Sequence, residues 1–143
     1  VTTEAQVLNV LQQMQEDLHM AVLLISHNLG VIARMCRRVY VMYAGTVVEE
    51  ATTERLFAEP AHPYTKGLLS SLPALHDKGE ILKGIGGQTP DLFRLPQGCR
   101  FFSRCRDGMR ICERLEPPTF DLGKGQKASC WLYSPERSTS SCI

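Results

Sequence analysis

The stretch that most constrains the fold is the apolar run at residues 20–28, MAVLLISHN. Ala21–Ile25 is apolar without alternation, which is typical of a strand buried on both faces of a parallel-type sheet covered by helices. The apolar run ends before His27, and a helical pattern begins at Leu29. Ligands of open α/β sheets bind where the carboxyl end of a strand meets the next helix. His27 is therefore a candidate functional residue, because an imidazole donates or accepts a proton near neutral pH. A histidine in such a position also serves often as a cap or a hydrogen-bonded loop residue, and this pattern alone does not separate the two.

Periodic patterns on both sides of this run predict an α/β fold. A T-x-x-Q capping box at Thr3 marks the start of the first predicted helix. The full set of predicted elements is a helix with one buried face over 4–18, a helix over 29–36, a hairpin of strands 39–43 and 46–50 around a turn at Ala44-Gly45, a short helix near 54–58, and a helix within 62–72.

Shifts in composition divide the chain into four predicted regions. Residues 1–72 carry the α/β pattern, and residues 73–90, rich in Gly, Lys and Asp, predict a linker with one short strand at 80–83. Residues 91–133 are spaced by cysteines, and residues 134–143 are a polar tail that we expect to be disordered. The expected architecture is a partial sheet with flanking helices, followed by a small irregular cysteine-rich extension.

Several function classes are disfavoured by what the sequence lacks. No window approaches the roughly 20 apolar residues that cross a bilayer, so we expect no membrane span. The net charge is +1 with both signs interspersed, which is not the charge pattern of a nucleic-acid-binding protein. No secretory signal is visible, which favours a cytosolic, reducing setting. No P-loop motif occurs in the 143 residues, and because the chain opens at Val1 directly before a helix cap, we expect a fragment that begins within a domain.

A second strong signal is a set of four cysteines spaced C-x5-C-x6-C-x17-C: Cys99, Cys105, Cys112 and Cys130. Four thiolates can ligate a tetrahedral zinc ion or the four corners of a [4Fe-4S] cube. The gaps are wider than the short knuckles that structural zinc sites favour. They suit a [4Fe-4S] cube about as well as they suit a zinc site. Two disulfides or free buried thiols are the alternatives, and the cytosolic setting disfavours disulfides.

The segments ISHNLG, YAGTVVE and HPYTKGLL, together with the cysteine module, resemble the end of the nucleotide-binding domain of ABC transporter ATPases, specifically the oligopeptide and dipeptide importer family. The resemblance covers nearly the whole chain, from Val1 to about Tyr133. It implies that His27 reaches the γ-phosphate of ATP and positions the attacking water, which suits phosphoryl transfer because positioning and charge stabilisation supply most of its catalysis. Asn28 stands where the family usually has Asp, and we expect this change to weaken a helix cap without abolishing the role of His27.

The resemblance also implies a function for the longer protein. We expect the C-terminal part of the ATP-hydrolysing subunit of a peptide importer, with nickel or other solutes as alternative cargo, and with ATP and Mg²⁺ bound in the full-length protein. The implied partners are a second ABC ATPase subunit and transmembrane permease subunits, with the protein peripheral on the cytoplasmic face of the inner membrane and no nucleic acid bound. The isolated fragment is expected to be inactive, because the Walker A, Walker B and signature motifs are absent from these residues.

For the cysteines, the family context G-C-x-F-x-x-R-C is matched from Gly98 to Cys105. The resemblance therefore implies an iron-sulfur cluster held by Cys99, Cys105, Cys112 and Cys130, with zinc as the alternative. A competing hypothesis of another class is a non-catalytic metal-binding interaction module, in which the α/β part is only a dimerisation scaffold.

Overall fold

The computed structural model of the chain describes residues 3–72 and 84–136. These residues fall in two compact units, 1–37 and 38–143. The predicted strand at 80–83, most of the predicted linker (73–83) and most of the predicted tail (137–143) lie outside the described residues. Within the described ranges, no helix combines the length and apolar character needed to cross a membrane.

The first unit contains two helices, α1 (Thr3–Leu18) and α2 (Leu29–Met35), and both confirm the sequence prediction. An ion–dipole contact joins them, since the guanidinium of Arg34 donates to Asn9 Oδ1 at 2.5 Å. Among the described side chains of this unit only Ile32 is buried; on the predicted apolar face of α1, Leu8 and Leu11 are partly buried and Met14 and Leu18 are exposed.

The predicted strand at Ala21–Ile25 is wrong for this structure, which has no strand there. Leu23 and Ile25 are 88% and 91% exposed. A strand buried on both faces needs hydrogen-bonded neighbour strands and covering helices, and within this unit the described residues form two helices and no sheet. The run is apolar, but its burial would depend on neighbouring elements that this unit does not provide.

The second unit is a four-stranded sheet with short helices, so the predicted mixture of helices and a partial sheet is confirmed. The sheet order is β1-β2-β4-β3 and every pairing is antiparallel, which confirms the predicted hairpin of 39–43 and 46–50; the parallel-type sheet expected around Ala21–Ile25 is not formed by the described residues. Its elements are β1 (Arg38–Tyr43), β2 (Thr46–Thr52), α3 (Thr53–Ala58), α4 (Pro63–Leu69), a 3-10 helix (Phe102–Arg104), α5 (Arg110–Arg114), β3 (Thr119–Gly123), β4 (Gln126–Ser129) and a second 3-10 helix (Trp131–Tyr133).

Two tight turns build this sheet. The predicted turn at Ala44 and Gly45 is confirmed, with φ of 46° and 84° at the two residues. Lys124 and Gly125 repeat the arrangement between β3 and β4, with φ of 51° and 75°. Positive φ at both central residues matches the right-handed twist of the flanking strands. The expectation of an irregular extension is therefore wrong over 119–129, because this turn brings two short strands together and β4 then pairs with β2.

A β-bulge turns a charged side chain of β2 into the core. Val41 pairs with Glu49 but the next residue, Met42, pairs with Val47, so Val48 is an extra residue on β2. Such a bulge interrupts the alternation of faces. As a result Val48 and Glu49 are both buried, at 6% and 1% exposure.

The buried Glu49 carboxylate joins three separate segments. One oxygen accepts from the backbone N–H of Ala61 and the other from that of His62, both at 2.8 Å. The amide of Gln126, on β4, donates to Glu49 at 2.9 Å and also to the carbonyl of Glu59 at 2.9 Å. Arg55 completes the set by donating to Gln126 Oε1 at 3.1 Å. The carboxylate thus has three donors in a place without water access, which is what burial of a charge requires.

His62 is the N-cap of α4 and is held neutral. Its Nδ1 accepts from the backbone N–H of Tyr64 at 3.0 Å, so it caps the helix with Pro63 in the first turn. Burial, and to a smaller extent the charge of Lys66, lowers the pKa of His62 from 6.5 to about 4. An uncharged imidazole is therefore built into the core at neutral pH.

Replacing Glu49 by Ala is expected to destabilise the second unit by about 3 kcal/mol or more, because three buried donors lose their acceptor. Chemical denaturation of this chain measures the free energy of unfolding. Glu54→Ala, at an exposed position of the neighbouring helix α3, is the matched control and should change it by about 0.5 kcal/mol or less. Equal losses from the two variants would show that the buried hydrogen bonds do not hold the fold.

The stability of the unit should also fall with acidification. Because the folded pKa of His62 lies below its unfolded value, the unfolded chain binds the extra proton between pH 6.5 and about 4, and stability drops by about 1.4 kcal/mol per pH unit within that window. His62→Asn keeps a capping acceptor but removes the titrating group, so its free energy of unfolding should change less over the same pH range. Parallel pH profiles of the two proteins would contradict the assignment.

Candidate functional site

His27, the residue predicted to act on ATP, is exposed in the loop before α2. The loop is ordered by its own side chains, since Ser26 Oγ accepts from the backbone N–H of Asn28 at 3.0 Å. Asn28 Oδ1 in turn accepts from the N–H groups of Gly30 and Val31 at 3.0 and 3.3 Å. The imidazole therefore stands free of the interior at the start of a capped helix, where it can meet a ligand.

The helix cap at Asn28 is retained despite the missing charge. Asn and Asp are about equally good N-cap residues, because the side-chain oxygen, and not the charge, supplies most of the effect. The expectation that Asn28 weakens the cap is therefore not supported by the two hydrogen bonds that its amide oxygen accepts.

The four spaced cysteines lie in the second unit as free thiols. Cys112 and Cys130 are buried, and Cys99 and Cys105 are half-buried. The backbone N–H of Cys99 donates to the carbonyl of Cys112 at 2.7 Å, which brings two of the four positions together.

This approach of the two backbones depends on Gly98. A Cβ at that position would lie 2.2 Å from the Cys112 carbonyl oxygen and 2.6 Å from the carbonyl carbon of Glu113. Both neighbours are backbone atoms, so only glycine fits without moving the chain.

The four thiols also lie within electrostatic reach of one another. Burial raises the pKa of Cys99 and Cys105 above the usual range and that of Cys130 to about 11. Charge on neighbouring cysteines raises these pKa values further, and for Cys130 the other three members of the set all contribute. In the absence of a compensating cation the thiols of Cys99, Cys105 and Cys130 are therefore protonated at neutral pH.

No three or more His, Cys, Asp or Glu side chains in residues 3–72 and 84–136 are arranged so that they could hold a metal ion. Four free thiols have the chemistry of a metal centre, but their side chains do not close around a common point, and the only backbone hydrogen bond between two of them joins Cys99 to Cys112 in the described residues.

An aromatic cluster packs the cysteine segment, residues 98–112, against the rest of the unit. Phe101, two residues after Cys99, is 3% exposed and packs against Tyr43 at 5.1 Å, Tyr64 at 5.4 Å and His62 at 5.8 Å between ring centroids. Edge-on and tilted packing at these distances is the favoured geometry of aromatic rings. Burial raises the pKa of Tyr64, so its hydroxyl is neutral.

Two arginines of the cysteine segment bind backbone oxygens of other segments. Arg100 donates to the carbonyl of Ala44 at 2.5 Å, in the first hairpin turn. Arg104 donates to the carbonyls of Gly86 and Ile85 at 2.8 and 3.0 Å. These contacts hold the segment around the cysteines against the hairpin and against the chain that follows residue 83.

Glu49, His62, Gln126 and Phe101 form a buried cluster of the second unit, and the sequence pattern did not indicate that these four residues meet. His62 carried a signal, since it lies in the HPYT motif ahead of a helix. Gln126 carried none, because a single glutamine in a polar stretch does not indicate burial.

Comparison with known proteins extends these observations. A family model described as oligopeptide/dipeptide transporter, C-terminal region, matches residues 48–112. The chain is 43% identical over 132 residues to the dipeptide transport ATP-binding protein DppD of Bacillus subtilis, covering 92% of this chain and 39% of that protein. It is 41% identical over 141 residues to the oligopeptide transport ATP-binding protein AppD of Bacillus subtilis, covering 99% of this chain and 43% of that protein.

A third relative comes from a different organism. The oligopeptide transport ATP-binding protein OppD of Haemophilus influenzae is 39% identical over 132 residues, which is 92% of this chain and 41% of that protein. The chain thus spans about two fifths of the length of the curated relatives it matches. The matched family region contains the buried Glu49 and His62 and three of the four spaced cysteines. Residues 48–112 thus match the C-terminal region of oligopeptide/dipeptide transporters, and most of the chain is about 40% identical to ATP-binding proteins of dipeptide and oligopeptide transport.

Proposed function

We propose that this chain is the C-terminal part of the ATP-hydrolysing subunit of an ABC importer for peptides, which couples ATP binding and hydrolysis to transport. The observation that carries the proposal is identity of about 40% across more than nine tenths of the chain to proteins named for dipeptide or oligopeptide transport and ATP binding. The hypothesis of a non-catalytic interaction module is not favoured, because these relatives are ATP-binding proteins.

His27 is proposed to contact the γ-phosphate of ATP and to orient the attacking water. Its exposure at the start of the capped helix α2 supports this role, since a ring packed in the interior could not reach a nucleotide. A neutral imidazole donates a hydrogen bond from one nitrogen and accepts from water at the other, without the repulsion that a carboxylate would exert on phosphate.

The rest of the catalytic machinery is assigned to residues beyond this sequence. Mg²⁺ would neutralise charge on the phosphates. The proposed partners are a second ATPase subunit and the permease subunits, which place the protein on the cytoplasmic face of the membrane. Peptides are the proposed cargo, with nickel and other solutes as the alternatives that a transport assay would separate. On this proposal the isolated chain, with no P-loop lysine, does not hydrolyse ATP.

We further propose that Cys99, Cys105, Cys112 and Cys130 hold a metal centre, an iron-sulfur cluster or alternatively zinc. Supporting observations are the reduced state of all four thiols, their mutual electrostatic influence and the 2.7 Å contact between the Cys99 and Cys112 backbones. The side chains would have to rotate to close the site, since no metal-binding arrangement exists among the described residues. A bound metal would cross-link the segment of Cys99 and Cys105, the helix α5 and the end of β4. It would also replace the protons on the thiols.

Substitution of His27 by Ala in the complete ATPase subunit should lower the rate of ATP hydrolysis by about 100-fold or more, because the group that positions water is lost. ATP affinity should stay close to that of the unchanged protein. His19→Asn is the matched control, since His19 is exposed in the same unit and has the positive φ of 51° that Asn tolerates. Full hydrolysis by the His27 variant would remove this residue from the mechanism.

Anaerobic purification should yield a brown protein with a broad visible absorption band if the centre is iron-sulfur. Colourless protein with stoichiometric zinc would support the zinc alternative, and protein without iron or zinc would overturn the proposal of a metal centre. Cys105→Ser should abolish the metal content measured by elemental analysis. Cys36→Ser, which changes a cysteine of the first unit, should leave it unchanged.

Gly98→Ala is expected to lower metal content and to destabilise the second unit by about 2 kcal/mol, because the added methyl group forces the Cys99 and Cys112 backbones apart. Gly86→Ala is the control, since a Cβ there meets no described atom within 4 Å and the residue does not have a positive φ. Denaturation and elemental analysis measure the two effects. Identical behaviour of the two variants would mean that the close approach at Gly98 is not needed.

A further inference from the structure

We draw no further inference here: the strongest candidate, the exposed apolar surface patch of Leu92, Phe93 and Leu95 on the turn that Asp91 caps, carries nothing because no observation on the described residues shows what covers it.

Discussion

The second unit depends on one buried carboxylate. Glu49 accepts hydrogen bonds from the loop before α4 and from β4, so a single charged group joins three parts of the chain that are far apart in sequence. Removing water from a carboxylate is costly, and only a complete set of donors offsets that cost. The loss of any one donor therefore leaves the buried charge less well satisfied, and the loss of the carboxylate leaves all three donors without their acceptor. Such an arrangement specifies one register of β2 against β4 more strongly than the two residue pairs of that ladder could alone.

Local signals in the sequence predicted the local elements well. The helices α1 to α4 follow from caps and a 3.6-residue period, and the first hairpin follows from β-forming residues around Ala44-Gly45. The strands β3 and β4 are not predicted because they are only five and four residues long, and because β4 is stabilised by pairing with β2 and β3 by pairing with β4 more than by their own composition. The signal that could have found them is the Gly-Lys-Gly turn, whose φ angles are all positive.

The wrong strand at Ala21–Ile25 and the unpredicted burial of Glu49 have the same physical origin, which is that burial depends on neighbouring strands. Ala21–Ile25 has the composition of a central strand, but composition does not provide the neighbours that bury one. The sequence alone does not show which face of β2 carries Glu49. The bulge at Val48, which forms through pairing with β1, turns the Glu49 side chain into the core. His27 and the cysteines were identified by resemblance to a family. Spacing alone left zinc, iron-sulfur, disulfides and free thiols all open, and the structure removes only disulfides for the described cysteines.

The cysteine segment packs into the second unit together with the first hairpin. Phe101 lies within the aromatic cluster of Tyr43 and Tyr64, and Cys130 directly follows the strand that carries Gln126. The hydroxyl of Tyr133, three residues after Cys130, donates to the carbonyl of Ala61 at 2.9 Å. The backbone N–H of the same Ala61 donates to Glu49. A ligand that binds only the folded arrangement of the thiols therefore stabilises every element tied to them, by an amount set by its concentration relative to its dissociation constant. If the proposed metal centre forms, loss of the Glu49 hydrogen bonds would by the same linkage weaken its metal affinity, because the free energy needed to order the cysteines would then come from metal binding itself.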